Sequence, residues 1–277
     1  MAKEAARLSR AKAGFDIEDY HPEEEVEIAQ NRSRKRVAYR AMKKWLPLCR
    51  HLTAASPLIA EKCRQEFGIR AVTILNTYPL EDAPVNPVGP RGEVQFYWFS
   101  QTIGPGRGLE DFIFMMSAME TPSELILRGM ISNTYLQHLR KITKPWAKHR
   151  LRVLDPCPPE KIVSACAGHT FGLCLENDYP MNRDLCLPNK IFAYLLAGTP
   201  VILSPTTAHR KLALELGSAA VVLDQKLSLN EKAKQIDEIL SNTHYKENAS
   251  STALRLGRSV YNWDTEKIKL MMNTLKS

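Results

Sequence analysis

No stretch of the sequence is apolar for long enough to cross a bilayer. The longest, residues 191–203, is interrupted by Gly198 and Pro200 and falls short of the roughly 20 residues a spanning helix needs. The opening MAKEAARLSRAKAG carries both charge signs and no apolar stretch, so no secretory signal is expected and a cytoplasmic protein is. Cys49, Cys63, Cys157, Cys166, Cys174 and Cys186 include no C-x-x-C pair and no histidine at zinc-ligand spacing. They read as mostly buried thiols, and no metal ligands are nominated. No repeat of fixed period is visible. What is present is ordinary for a globular chain: among 277 residues, 44% are apolar and 25% charged, which excludes a disordered or collagen-like protein. Thirty-eight basic against 30 acidic residues leave a net charge of +8, which favours anionic contacts such as nucleotides, nucleic acid or acidic lipid.

Charge is unevenly placed. Residues 15–27 hold seven acids and no base, whereas residues 31–52 hold eight Lys or Arg and no acid. In that basic block Val37, Ala41, Trp45 and Leu48 fall near one helical face, predicting a cationic amphipathic helix that ends near Pro47. It is either a solvated face on its own domain or, through residues 32–50, a contact for an anionic membrane surface, which would place the protein peripherally at the inner membrane face. Nucleic acid is disfavoured there, because interleaved aromatics and module signatures are absent. A strand over 51–55, an N-cap at Ser56 with Pro57 in the first turn, a helix to about Phe67 and a strand over 71–76 follow. Residues 79–92 contain four prolines and two glycines and read as a linker. Beyond it, strand-like runs alternate with helix-like runs, predicting an α/β domain with a parallel sheet covered on both faces. The expected units are residues 1–80, a linker at 81–92, a sheet domain over 93–260 and a closing helix over 261–277 that packs back towards the first unit.

Two segments have the composition of a ligand site. The first turn after the linker, SQTIGPGRGLED, contains Gly104, Gly106 and Gly108 before a helix start. Glycines permit close backbone approach, the helix N-terminus favours an anion, and Arg107 adds a planar cation suited to phosphate oxygens. The same pattern also suits an ordinary tight turn. It is one residue short of the dinucleotide fingerprint, and the next strand ends in Arg128-Gly129 rather than a ribose-binding acid. A dehydrogenase survives only if Arg128 meets a 2′-phosphate. In the second segment, residues 171–204, a strand ends at Glu176 and Pro188-Asn189-Lys190 opens a helix. Ligands of open α/β sheets bind beyond the strands' carboxyl ends, so Glu176, Asn182, Arg183, Asn189 and Lys190 should share a rim with Arg107. Alternatively, Asn189 caps the helix and Lys190 is solvated.

Taken in order, LTAASPLIAEKCRQEFG, VTILN, the proline-rich stretch, FSQTIGPGRGLEDFI, ELILRG, LPNKIFAYLLAGTPVI and SVYNWDTEKIKLMMNTL resemble the group 1, family 4-like glycosyltransferases of GT-B fold. The resemblance runs from about His51 onward. It implies a Rossmann-like C-terminal domain and a retaining sugar transfer from a nucleotide diphosphate sugar, which is donor substrate rather than cofactor, without a tightly bound metal. Polysaccharide or glycoconjugate biosynthesis is the implied setting. Arg107 and Lys190 take the positions that stabilise the departing diphosphate; Gly104, Gly106, Gly108, Glu176, Asn182, Arg183 and Asn189 are the implied nucleotide-sugar contacts. No D-x-D pair, the mark of metal-dependent glycosyltransferases of the other large fold, occurs here.

This chain departs from the family pattern. Leu185 and Ala193 stand where the E-x7-E glutamates would be, and Gln101-Thr102 replaces the G-R pair. Losing the ribose-binding glutamate removes hydrogen bonds worth roughly 1–3 kcal/mol unless another group supplies them. About 80 residues precede the linker, so the acceptor domain is expected to be partial or completed by a separate chain. The alternative to an enzyme is a nucleotide-binding or partner-docking module derived from one. No general base is nominated, since His21, His169 and His209 are isolated.

Overall fold

The computed structural model describes residues 13–26, 28, 31–85, 89 and 92–275. Parts of the expected linker, residues 86–88, 90 and 91, lie outside them, as do the first 12 residues and the last two. The described residues form two parallel sheets.

The smaller sheet pairs β1 (Gly14–Ile17), β2 (His51–Ala54) and β3 (Val72–Thr73) in that order. Between β1 and β2 the chain runs through α1 (Arg32–Trp45), and between β2 and β3 through α2 (Pro57–Phe67). Ser56 caps α2 by accepting from the Ile59 N–H, Pro57 follows it, and Gly68 closes the helix in the left-handed region, as Ser-Pro and Gly should at those ends. Ile17, Met42, Leu46, Ile59, Cys63 and Phe67 form the core of this unit. The apolar stripe read from the sequence of α1 is not its buried face: Val37, Ala41, Trp45 and Leu48 are exposed, while Met42 and Leu46 turn inward.

The larger sheet has six strands: β4 (Val94–Ile103), β5 (Ser123–Ile131), β6 (His149–Leu154), β7 (Phe171–Cys174), β8 (Val201–Leu203) and β9 (Ala220–Val222). Its spatial order is β6-β5-β4-β7-β8-β9, the doubly wound arrangement in which winding reverses between the first and fourth strands. Helices α3 (Leu109–Ser117), α4 (Asn133–Thr143), α5 (Ile162–Cys166), α6 (Met181–Leu185), α7 (Asn189–Ala197) and α8 (Thr207–Leu216) connect the strands, and α9 (Leu229–Ser241), α10 (Thr243–Ser259) and α11 (Trp263–Leu275) follow. Successive strand side chains point to opposite faces, so Phe96 and Trp98 pack under α3 while Tyr97 joins the cluster around Tyr194 of α7. β4 extends three residues further than its apolar run, through Gln101-Thr102, with a break in register between Phe99 and Thr102. Paired backbone decides this, which residue polarity does not reveal. Between β6 and β7 the chain forms a 3-10 turn (Pro159–Lys161) followed by the one-turn α5.

Two sets of bonds join the units. Near β1, the Tyr20 N–H donates to Asn182 Oδ1 at 2.7 Å, Asn182 Nδ2 donates to Asp19 at 2.7 Å, and Ser56 Oγ donates to the Leu185 carbonyl at 2.5 Å. Near β3, the N–H groups of Leu75 and Leu80 donate to Glu266 and Asp264 of α11, and the Trp263 N–H donates to the Tyr78 carbonyl. Glu266 is fully buried and also meets Lys269 at 2.6 Å, the pairing a buried carboxylate requires.

Candidate functional site

Because every strand of the larger sheet is parallel, their carboxyl ends share one edge, and the crevice at the β4–β7 switch is where this topology leaves room for a ligand. Residues 104–108 leave β4 and residues 175–188 leave β7, so the two segments picked out by composition are neighbours there. Their approach is close: Gly108 has φ of 70°, and a Cβ on it would lie 3.1 Å from Leu175 Cβ. Glycine is required at this position twice over, by backbone sign and by space. Gly106 also has positive φ, whereas nothing in the surroundings of Gly104 demands a glycine. The loop is braced from α6, where Arg183 donates to the Gly106 carbonyl at 2.6 Å.

Arg107 and Lys190, 83 positions apart, meet over one carboxylate oxygen. Glu176 Oε1 is 3.5 Å from the Arg107 guanidinium and 3.8 Å from Lys190 Nζ. Glu176 is held by its own N–H, which donates to Ser204 Oγ at 2.8 Å just beyond β8. Lys190 is 7% exposed and its ammonium stands 4.6 Å from the Trp98 ring centroid; burial of this kind holds the charge in place by a carboxylate and a ring face. The solvated reading of Lys190 is therefore wrong. Asn189 is exposed at the first position of α7 and does not cap it: the N-cap is Pro188, without a side-chain bond. Asn182 is buried, with its amide engaged by Asp19 and Tyr20, so it joins the two units, and Arg183 serves the loop. Arg128 binds the Tyr97 hydroxyl and the Asp155 carbonyl, each at 2.8 Å, which removes the basis for a 2′-phosphate contact.

A cavity of about 260 Å3 adjoins Glu176, walled by Phe112, Leu175, Pro205 and Leu223 and edged by Asp111 and Asp178. Composition did not single out Ser204, Asp111 or Asp178. A polar residue directly after a buried strand was the available signal for Ser204; none exists for Trp98, whose contact with Lys190 is purely tertiary. Ala193, at the expected ribose-glutamate position, is fully buried in the core, and Leu185 offers its carbonyl to Ser56.

Behind the rim, His209 is fully buried. Its Nδ1–H donates to the Ser204 carbonyl at 3.0 Å, leaving Nε2 to face Cys174 Sγ at 3.6 Å. Burial pushes its pKa down to about 4, with nearby Lys190 acting in the same direction and the Ser204 carbonyl, Glu176 and Asp184 opposing. The folded imidazole thus resists a proton that the unfolded one takes near pH 6.5. Stability is full above pH 6.5 and falls as pH drops towards 4, by roughly 3 kcal/mol from this residue. Urea unfolding from pH 7 to 4.5 checks this: His209→Gln should flatten the decline relative to the parent, and parallel profiles would contradict it.

No protein-family profile matches the sequence, and no curated protein does. Solved structures do match the fold. The Anabaena protein HepE (Alr3699) in complex with UDP-glucose aligns with a TM-score of 0.74 at 16% identity, over 99% of this chain and 75% of that one. WaaG, a glycosyltransferase involved in lipopolysaccharide biosynthesis, aligns at 0.72 and 8% identity over 98% and 80%. A glycosyltransferase from Rickettsia africae aligns at 0.68 and 10% identity over 98% and 72%. The fold is thus that of GT-B glycosyltransferases, a Rossmann-like sheet domain joined to a second parallel-sheet unit.

Proposed function

We propose that the chain binds a nucleotide diphosphate sugar in the β4–β7 crevice and transfers the sugar to an acceptor. The nucleoside occupies the cavity walled by Leu175, Pro205 and Leu223, and the diphosphate lies against Arg107, Lys190 and the N-termini of α3 and α7. The observation that carries this reading is the convergence of two cations from distant segments on one oxygen of Glu176. Negative charge develops on the departing diphosphate during transfer, and fixed cations at that point stabilise it more than they stabilise the bound donor. HepE, which shares the fold, was solved with UDP and with UDP-glucose, and this supports a uridine nucleotide as the first donor to try. Retention of configuration and metal independence rest on the sequence resemblance. Asp111 and Asp178, which line the cavity along with Glu176, are the carboxylates assigned to the ribose hydroxyls in place of the glutamate absent at Ala193.

Ala193 and Leu185 favour a second reading, a nucleotide-binding module without turnover. Calorimetric titration with UDP-, GDP- and ADP-sugars, coupled to release of free nucleotide by sugar transfer to water or to a panel of added sugar and lipid hydroxyl acceptors, separates the two: binding with release supports the transferase, binding without it on every acceptor the module, and no binding refutes both. Glu176→Gln supplies a further check. With the carboxylate gone, the cations lose their internal counter-charge, and UDP should bind about tenfold tighter, the change expected of one screened like-charge contact. Weaker binding of both UDP and uridine would instead assign Glu176 to the ribose, and a loss confined to the UDP-sugar would assign it to the sugar.

A further inference from the structure

Independently of the sugar-donor reading, α1 carries an unusual division of its surface. Met42 and the following Leu46 reach the N-terminal core. Val37, Trp45 and Leu48 point outward at 66%, 44% and 48% exposure, with the exposed Ala41 between them. At 100° per residue, Arg32, Arg36 and Arg40 form a row alongside this stripe, and Lys43 and Lys44 continue the positive charge. Arg34 and Lys35 are paired with Glu25 and Glu23. Among the described residues no carboxylate lies within ion-pair distance of Arg32, Arg36, Arg40, Lys43 or Lys44, and no acid occurs in residues 31–52. The three arginines also line an open groove of about 510 Å3 beside Tyr39, together with Lys35 and Lys62 and the carboxylates Glu23 and Glu66.

We propose that this face of α1 docks on the headgroup layer of an anionic lipid bilayer. An interfacial helix needs an apolar stripe to enter the headgroup boundary and cations flanking it to meet lipid phosphates, and on α1 the two rows run on adjacent faces, about 100° apart. Charge complementarity identifies the lipid as anionic, and the exposed apolar stripe distinguishes a bilayer from a polynucleotide, which has no use for Val37, Ala41 or Leu48. Elsewhere on the surface, Lys148, Arg150 and Arg152 are paired with Glu120, Glu93 and Glu124.

The test uses the full chain with phosphatidylcholine vesicles, with and without phosphatidylglycerol, separated by sedimentation. The anionic vesicles should retain the protein and release it as salt rises; neutral ones should not. Arg36→Ala with Arg40→Ala should lower the partition coefficient by about 25-fold, fivefold for each basic side chain lost near an anionic surface. Val37→Ser with Trp45→Ser should also lower retention while leaving every arginine in place. These side chains are exposed, and circular dichroism verifies that each variant folds. Retention on neither vesicle, or equally on both, overturns the proposal. So does retention that survives Val37→Ser with Trp45→Ser, and tight duplex binding in place of vesicle binding would assign the surface to nucleic acid.

Discussion

Lys190→Met should weaken binding of a nucleoside diphosphate by about 100-fold while leaving the bare nucleoside within about twofold. A charged hydrogen bond to phosphate in a sheltered site contributes roughly 1.5–3 kcal/mol, which spans about 10- to 150-fold. Lys190 belongs at the upper end because its ammonium is buried and fixed between Trp98 and Glu176, so little ordering remains to be done on binding. Methionine keeps the stem over the indole and avoids a cavity, and Glu176 retains Arg107 as a partner, which limits the folding penalty. Calorimetry with UDP and with uridine reads the split. Equal losses for both ligands would show that the substitution disturbs the pocket rather than the diphosphate contact.

Gly257→Ala should lower stability by roughly 2–3 kcal/mol even though alanine is the better helix former by about 1 kcal/mol. Gly257 lies within α10, and a Cβ there would come within 2.5 Å of the Leu195 carbonyl carbon in α7. That neighbour is backbone and cannot rotate away, so the helices must separate, and overpacking of this kind costs about 1–3 kcal/mol or more. Because α7 begins with Asn189-Lys190, the shift should also blunt nucleotide binding. Gly104→Ala, with nothing within 4 Å and no positive φ, is the matched control and should unfold like the parent. A Gly257→Ala protein as stable as that control would refute this account of the packing.

Much of the larger sheet was legible because a parallel sheet buried on both faces writes its strands as short apolar runs, such as those of β7, β8 and β9. That the two glycine- and cation-bearing segments meet at one sheet edge was legible for a related reason: glycines and cations at the ends of such runs have no role in the core. Four features were not legible. The extension of β4 through Gln101-Thr102 depends on pairing with β5. The true inward face of α1 depends on what packs against it, since two of its faces carry apolar residues. Lys190 looks solvated in a sequence because its partners, Trp98 and Glu176, sit 92 and 14 positions away. Asn182 and Arg183 follow β7 as expected, but their partners, Asp19 and the Gly106 carbonyl, turn them to joining the two units and bracing the loop. Polarity and position located the rim; only the tertiary contacts separate side chains facing the crevice from those that support it.

The most direct measurement is a double-mutant cycle on UDP affinity, built from Arg107→Ala, Lys190→Met and the combined variant. If both cations act on one diphosphate, each single change weakens binding and the double variant loses less than the two losses combined, with a coupling of about 0.5–3 kcal/mol. Strictly additive losses, or single variants that bind UDP as the parent does, would contradict a shared diphosphate site.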